Sequence, residues 1–137
     1  MVEEDSLKHL EFIQNIVTRM ANNSFLLKGW TVTIVSALFA LAAQNSNSKF
    51  VILAFLPVLT FWALDAYYLW QERLYRKLYD DVRKGKYSAV ESFSLDATPH
   101  RKNVPSWGRT AVSNTIIIFY GSMVITIFIV IVAIKIA

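Results

Sequence analysis

The sequence predicts an all-α integral membrane protein with three transmembrane helices. Of its 137 residues, 55% are hydrophobic and only 18% are charged, whereas about 25% of a typical soluble domain is charged. Charged residues are absent from three windows, residues 29–48, 50–64 and 110–134. The first and last windows reach the roughly 20 residues that a helix needs to cross a bilayer. This composition excludes a water-soluble globular domain and an intrinsically disordered chain.

Residues 1–24 are predicted to form an N-terminal amphipathic helix on the cytoplasmic side. Apolar residues recur there at intervals of three and four, which is the spacing of one helix face: Leu7, Leu10, Ile13, Ile16, Val17 and Met20. Asn22, Asn23 and Ser24 then interrupt the pattern, and we expect them to break or cap the helix before Phe25. The helix could dock on a membrane surface or a partner, but packing on the protein's own cytoplasmic portion is favoured.

Residues 25–70 are predicted to form a transmembrane hairpin. Its spans cover residues 25–43 and 50–70, and the segment between them is long enough only for a tight turn. Helical spacing continues past Trp70, so we expect one helix over residues 50–84 that ends near Gly85. Such a helix is about 50 Å long, and its second half therefore extends from the membrane into the cytoplasm.

The remaining chain divides into a basic segment and a third span. Residues 71–109 are expected to form a cytoplasmic helix and loop, with an irregular loop at residues 88–107 because Pro99, Pro105 and several serines lie there. The third transmembrane helix is predicted over residues 110–137.

The distribution of basic residues predicts the orientation of these spans. Nine Lys or Arg residues lie between Gln71 and Arg109, but only Lys49 lies in the hairpin turn. Because lysine and arginine are retained on the cytoplasmic side of membranes, the N-terminus is expected to be cytoplasmic and the C-terminus extracytoplasmic. A belt of aromatic residues near the inner interface agrees with this topology: Trp30, Tyr67, Tyr68, Trp70 and Trp107.

Asp65 is the only carboxylate within a predicted span. An ionised aspartate at the centre of a bilayer costs about 2.5–3.5 kcal/mol on insertion scales, so it requires a partner or an internal cavity. Lys28 and Asp65 lie equally far from the hairpin midpoint, which places them at one level of two antiparallel helices. We therefore expect an interhelical ion pair, within one chain or between subunits. One alternative is that Asp65 belongs to a proton or cation relay. Another is that the side chains of Lys28 and Asp65 each reach water without meeting.

Small residues and one proline indicate how the helices pack. In the first span Gly29, Thr33 and Ala37 lie four apart and Ala40 continues this band of small residues; in the third span Gly121, Ser122 and Thr126 form a similar band. Such bands allow close approach of helices in lipid, either within one chain or between chains. Pro57 is expected to kink the second span because it lacks a backbone N–H. A gating hinge is the alternative role for this proline.

The sequence offers no motif for catalysis or for cofactor binding. Cysteine is absent, and the only histidines, His9 and His100, have no metal-ligand partner at a workable spacing. Phosphate-binding loops, nucleophile elbows and paired carboxylates within a span are also missing. We therefore expect no enzymatic activity, no cofactor and no metal. Nucleic-acid binding is not expected either, because no recognition motif accompanies the net charge of +4.

Two stretches resemble a family of small bacterial inner-membrane proteins. Residues 18–30 (TRMANNSFLLKGW) and 71–83 (QERLYRKLYDDVR) look like the RipA-like family, whose members are octameric and have a poorly defined activity. The resemblance covers about residues 10–84. It implies a bacterial inner membrane and a homo-oligomer, with an octamer as the suggested assembly, and it carries no catalytic residues over to this chain.

Two classes of function remain open. The first is a non-catalytic scaffold, a homo-oligomeric ring whose cytoplasmic helices organise lipid or an unidentified cytoplasmic protein. Tyr75 and Tyr79 would then form a cytoplasmic oligomer contact, because they project an apolar stripe into water. Either a neighbouring copy or the N-terminal amphipathic helix of the same chain could cover this stripe. The second class is an oligomeric pore or channel. No predicted span has the unbroken polar face typical of a pore, and the scaffold is therefore favoured.

Overall fold

The computed structural model describes residues 2–45, 47–84 and 95–136, and in these residues the chain is 91% helical and has no strand. This confirms the all-α class. The helices are α1 (Val2–Asn45), α2 (Ser48–Leu53), α3 (Phe55–Arg83), a 3-10 helix (Thr98–Asn103), α4 (Trp107–Ala111) and α5 (Asn114–Ile136). Three described segments are long and apolar enough to cross a membrane: Glu4–Gln44, Lys49–Arg83 and Asn114–Ile136.

The first helix is continuous, which corrects the expected boundary between residues 24 and 25. α1 runs through Asn22, Asn23 and Ser24 without interruption, and at 1.5 Å per residue it is about 66 Å long. The predicted amphipathic helix and the predicted first span are therefore two halves of one helix. The hydroxyl of Ser24 bonds across to α3, so it does not cap a new helix.

The second span is divided at Ala54 into α2 and α3, where the sequence predicted one helix from residue 50. Pro57 has no amide hydrogen to donate to the carbonyl of Leu53. Next to this missing bond, the Ala54 amide donates to the carbonyl of Val51, three residues earlier, over 3.0 Å. Regular α-helical bonding returns at Val58, whose amide donates to the carbonyl of Ala54, four residues earlier, over 3.3 Å. The interruption therefore lies three residues before the proline.

The third span begins later than the sequence indicated. α5 starts at Asn114, whereas residues 110 and 111 belong to the separate short helix α4. The region expected to be an irregular loop contains the 3-10 helix Thr98–Asn103. The predicted helix end near Gly85 lies outside the described residues, and α3 itself ends at Arg83.

The long helices form a bundle with two apolar cores. α1 and α3 pack together along much of their length. The larger core joins both to α2 and α5 and includes Val35, Ala42, Val51, Val58, Ile116, Tyr120 and Ile127. We call the end of the bundle near Asn47 the turn end and the opposite end, which carries the 3-10 helix, the loop end. The outer surface is apolar, as Phe25 (77% exposed) and Ile118 (70% exposed) illustrate.

The second core lies at the loop end and explains the apolar stripe of α3. Ile13 and Val17 of α1 are buried against Leu74 and Leu78 of α3. Tyr75 and Tyr79 pack partly buried on the same core. The N-terminal half of α1 therefore covers the stripe within one chain, and the reason for expecting an oligomer contact at these two tyrosines no longer holds.

Candidate functional site

Asp65 lies at the centre of a polar cluster that joins the three long helices. It is on α3 and is 0% exposed. From α1, Lys28 Nζ lies 2.5 Å from Oδ2, and the hydroxyl of Ser24 donates a hydrogen bond to Oδ1. From α5, the Tyr120 hydroxyl donates to Oδ2 over 2.9 Å. One carboxylate thus accepts three donors from two neighbouring helices.

The positions along the hairpin account for the contact between Lys28 and Asp65. The structure places the two side chains at the same level of α1 and α3, which is the pairing expected from their equal distance to the turn. Lys28 also donates to Ser24 Oγ over 2.9 Å, and its ammonium lies 5.9 Å from the centroid of the Phe119 ring. Its side chain is 21% exposed, so the cation is partly enclosed, whereas the anion is fully enclosed.

Aromatic packing holds Tyr120, the third donor to Asp65, in position. The Tyr120 ring is 0% exposed and stacks on Trp62 with centroids 6.0 Å apart and planes 11° apart. This stacking holds the hydroxyl of Tyr120 against Asp65. The sequence analysis did not identify Tyr120, although it is the only tyrosine in α5, and that was the available signal.

Trp62 has a second role, since it satisfies the backbone where α4 ends. The last carbonyls of a helix have no partner within that helix, and in an apolar setting each unpaired group costs free energy. The indole N–H of Trp62 donates to the carbonyl of Ala111 over 2.8 Å. In return the indole N–H of Trp107 donates to the carbonyl of Ala63 over 3.3 Å. These reciprocal bonds fasten α4 to α3.

The predicted packing residues do not line the contacts within the chain. Gly29, Thr33, Ala37 and Ala40 are all exposed on α1, and a Cβ added at Gly29 would meet nothing within 4 Å. On α5, Gly121 is partly buried, whereas Ser122 and Thr126 are exposed. The exposed hydroxyls bond to carbonyls of their own helices: Thr33 to Gly29, Ser122 to Phe119 and Thr126 to Ser122.

A further polar contact closes the loop end. His100 of the 3-10 helix and Asp81 of α3 are both buried, with Nδ1 and Oδ2 3.1 Å apart. His9 of α1 is also buried, at 2% exposed, and the antiparallel register places it near the level of Asp81. Within the described part of the chain, no three His, Cys, Asp or Glu residues are grouped so as to hold a metal ion. The sequence analysis considered the two histidines only as metal ligands, whereas the structure buries both and places His100 in contact with Asp81.

The chemistry of the cluster around Asp65 is that of a closed ion pair. Its two oxygens are occupied by an ammonium and two hydroxyls, and its burial keeps the charge pair in an apolar interior. Such an arrangement fixes the depth and rotation of three helices relative to one another. Comparisons of the chain with family models, with curated proteins and with solved structures find no match.

Proposed function

We propose that the chain is a non-catalytic, multi-pass protein of a bacterial inner membrane that assembles into a homo-oligomeric scaffold. The loop end lies in the cytoplasm and the turn end lies outside, as the excess of basic residues over residues 71–109 favours. The N-terminus is then cytoplasmic and the C-terminus extracytoplasmic. The resemblance of residues 18–30 and 71–83 to RipA-like proteins supports the bacterial inner membrane and suggests an octamer.

The exposed small-residue face of α1 carries the proposal of self-association. Helices in lipid associate through close backbone contact at small residues, and among the described residues no other helix covers Gly29, Thr33 or Ala40. These three residues lie near the middle of the exposed side of α1. A shallow groove of about 270 Å³ opens there, and its walls include Phe25 and Trp30. A helix of a second copy fits such a groove.

The closed interior supports a scaffold over an enzyme or a transporter. Asp65 accepts three donors and is fully buried. The cytoplasmic half of α1 and the end of α3 enclose their own apolar core around Leu74 and Leu78. The resulting unit is a rigid rod that presents a folded cytoplasmic surface, to which an unidentified cytoplasmic protein is the proposed partner.

The mass of the intact complex in lipid nanodiscs tests the proposal. We expect a single oligomeric species for the wild-type chain and a shift to monomer for Gly29→Leu/Thr33→Leu, because bulky side chains prevent close approach. Ile125→Phe, which adds bulk at an exposed position of α5, serves as the control and leaves the oligomer intact. A monomeric wild-type chain would contradict the scaffold.

An oligomeric pore is the second candidate, and the exposed hydroxyls of Thr33, Ser122 and Thr126 favour it. These groups already bond to backbone carbonyls of their own helices, which weakens them as a hydrophilic lining. Reconstitution into planar bilayers separates the two functions. Reproducible single-channel steps that Ser122→Leu abolishes would support the pore, whereas a silent bilayer supports the scaffold.

A further inference from the structure

Three arginines belong to segments that meet at the loop end, where the 3-10 helix and α4 both contact α3. The guanidinium of Arg101 lies over the Trp70 ring, 5.4 Å from its centroid. Arg73 follows Trp70 by three positions, which places both on the same face of α3, and its Nη1 lies 3.4 Å from Thr110 Oγ1. Arg109 immediately precedes Thr110 and is exposed. We call Arg73, Arg101 and Arg109 the arginine cluster.

The arginine cluster lacks a carboxylate partner among the residues that the structure describes. Each of the four carboxylates of α3 has another partner: Asp65 pairs with Lys28, Glu72 with Arg76, Asp80 with Arg83, and Asp81 contacts His100. Neighbouring like charges repel one another. An anion from outside the chain would remove this repulsion and accept hydrogen bonds from the guanidinium groups.

The arginine cluster lies at the level where the chain leaves the proposed membrane. α5 has 23 residues and is therefore about 34 Å long, enough for the roughly 30 Å hydrocarbon core when it starts at the boundary. Arg109 lies five positions before Asn114, the first residue of α5. Arg73 lies eight positions after Asp65, which is about 12 Å along a helix. Asp65 bonds to Tyr120, which lies six positions, about 9 Å, into α5. Arg73 and Arg109 therefore both lie near the level at which α5 begins, in the proposed headgroup region.

An apolar groove lies beside the same short helix. It has a volume of about 190 Å³ and is lined by Leu59, Trp62, Ala63, Trp107 and Ala111. Its wall residue Ala111 is the neighbour of Thr110, the residue that contacts Arg73. A ligand with an anionic head and an apolar tail matches both surfaces, whereas a free phosphate ion matches only the arginines.

We propose that the arginine cluster and this groove form a binding surface for an anionic phospholipid of the cytoplasmic leaflet. The lipid phosphate is held by Arg73, Arg101 and Arg109, and an acyl chain lies against Trp62 and Trp107. The inference rests on the proposed membrane embedding. It goes beyond general attraction to acidic lipid because it assigns the contact to one side of the bundle.

Lipid retention measured by native mass spectrometry tests this surface. The full chain is reconstituted into vesicles of equimolar phosphatidylglycerol and phosphatidylcholine, recovered by flotation, and released in a nonionic detergent. We expect the wild type to retain phosphatidylglycerol preferentially, and Arg73→Gln/Arg101→Gln/Arg109→Gln to lower that preference at least about fivefold. Arg109→Gln alone, at an exposed side chain, is expected to lower it about twofold or more and covers the case in which the triple variant does not fold.

A control variant removes the same charge elsewhere. Lys8→Gln/Lys49→Gln/Arg83→Gln lowers the net charge by the same three units away from the cluster, and we expect its lipid preference to equal that of the wild type. The inference would be overturned if both triple variants lost the same amount of lipid preference, or if the cluster variants kept the wild-type preference. Displacement of the lipid by free glycerol phosphate would overturn it as well. A chain that fails to float with the vesicles overturns the membrane assignment as well, so the two failures are distinguishable.

Discussion

The ammonium of Lys28 lies 2.5 Å from Oδ2 of Asp65, although 37 positions separate the two residues in the chain. The contact joins α1 to α3 at the level where Tyr120 joins α5 to α3. A buried ion pair adds less net stability than its Coulomb energy suggests, but losing one member leaves the other charge uncompensated. The pair therefore specifies how the helices align more than how tightly they adhere.

A double-mutant cycle tests the ion pair. Lys28→Met is expected to destabilise the chain by about 3 kcal/mol, because it leaves the Asp65 carboxylate buried without its cation. Asp65→Asn should cost less, since Lys28 is partly exposed and reaches water. We expect the double variant to be less destabilised than the sum of the two, by about 1–3 kcal/mol. Unfolding in mixed micelles measures all three free energies.

The control for that cycle combines Lys28→Met with Asp80→Asn. Asp80 lies 15 positions beyond Asp65 on α3, about 22 Å along the helix, and these two changes are expected to add within about 0.5 kcal/mol. If the free-energy changes of Lys28→Met and Asp65→Asn also added, the two residues would not interact and the ion pair would be contradicted.

Tyr120→Phe separates the hydroxyl of Tyr120 from its ring. The ring can still stack on Trp62, but Asp65 loses one of its three donors. Because a hydrogen bond to a charged group contributes about 1.5–3 kcal/mol, we expect a loss of unfolding free energy within that range. Tyr67→Phe, on a tyrosine that is 46% exposed, is the control and should change stability little. Equal effects of the two changes would contradict the assigned role of the hydroxyl.

Trp62→Phe removes the indole N–H that bonds to the carbonyl of Ala111. The carbonyl then has no donor in an apolar setting, and we expect a cost of about 1–3 kcal/mol. Hydrogen exchange at α4 should accelerate in parallel. Trp30→Phe is the matched control, because Trp30 is 60% exposed on the outer surface. If α4 exchanges no faster in Trp62→Phe than in the control, the bond does not hold that helix.

His100→Ala tests the contact that closes the loop end. The variant loses the partner of Asp81 at 3.1 Å and leaves space beside the second core. We expect a loss of about 1–3 kcal/mol and faster proteolysis within residues 95–106, measured by limited digestion in detergent. The neighbouring Lys102 is exposed, so Lys102→Ala should digest like the wild type. Digestion at the wild-type rate in His100→Ala would argue against a structural role for the pair.

Much of the fold follows from where charges are absent. Two charge-free windows are long enough for a membrane-crossing helix, and the shorter window of residues 50–64 indicates a third apolar helix. The described residues contain three such helices. The level of Lys28 and Asp65 follows from counting outward from the turn, because helices rise by a constant amount per residue. These inferences need only chain position and charge.

The features that the sequence did not reveal depend on tertiary contacts. Asn22, Asn23 and Ser24 favour a helix cap in isolation, but the bonding of Ser24 to Asp65 across the bundle supports a continuous α1. Tyr120 and Trp62 act through partners on other helices, and no local pattern indicates which residues of a uniformly apolar span face the interior.

The small residues of α1 also show that a sequence pattern does not identify its partner. Their spacing predicts close helix packing but not which helix approaches. The structure places Gly29 and Thr33 on the outside of the bundle, so the sequence pattern alone could not separate contacts within the chain from contacts between copies.

Cysteine accessibility in intact bacterial cells tests the proposed three-span topology most directly. The chain has no cysteine, so single substitutions at exposed positions report without background, namely Lys102→Cys at the loop end, Asn47→Cys in the turn and Lys135→Cys near the C-terminus. With the proposed topology, a membrane-impermeant maleimide is expected to label Asn47→Cys and Lys135→Cys in intact cells, and Lys102→Cys only after permeabilisation. Labelling of Lys102→Cys in intact cells, with protection of the other two, would contradict it.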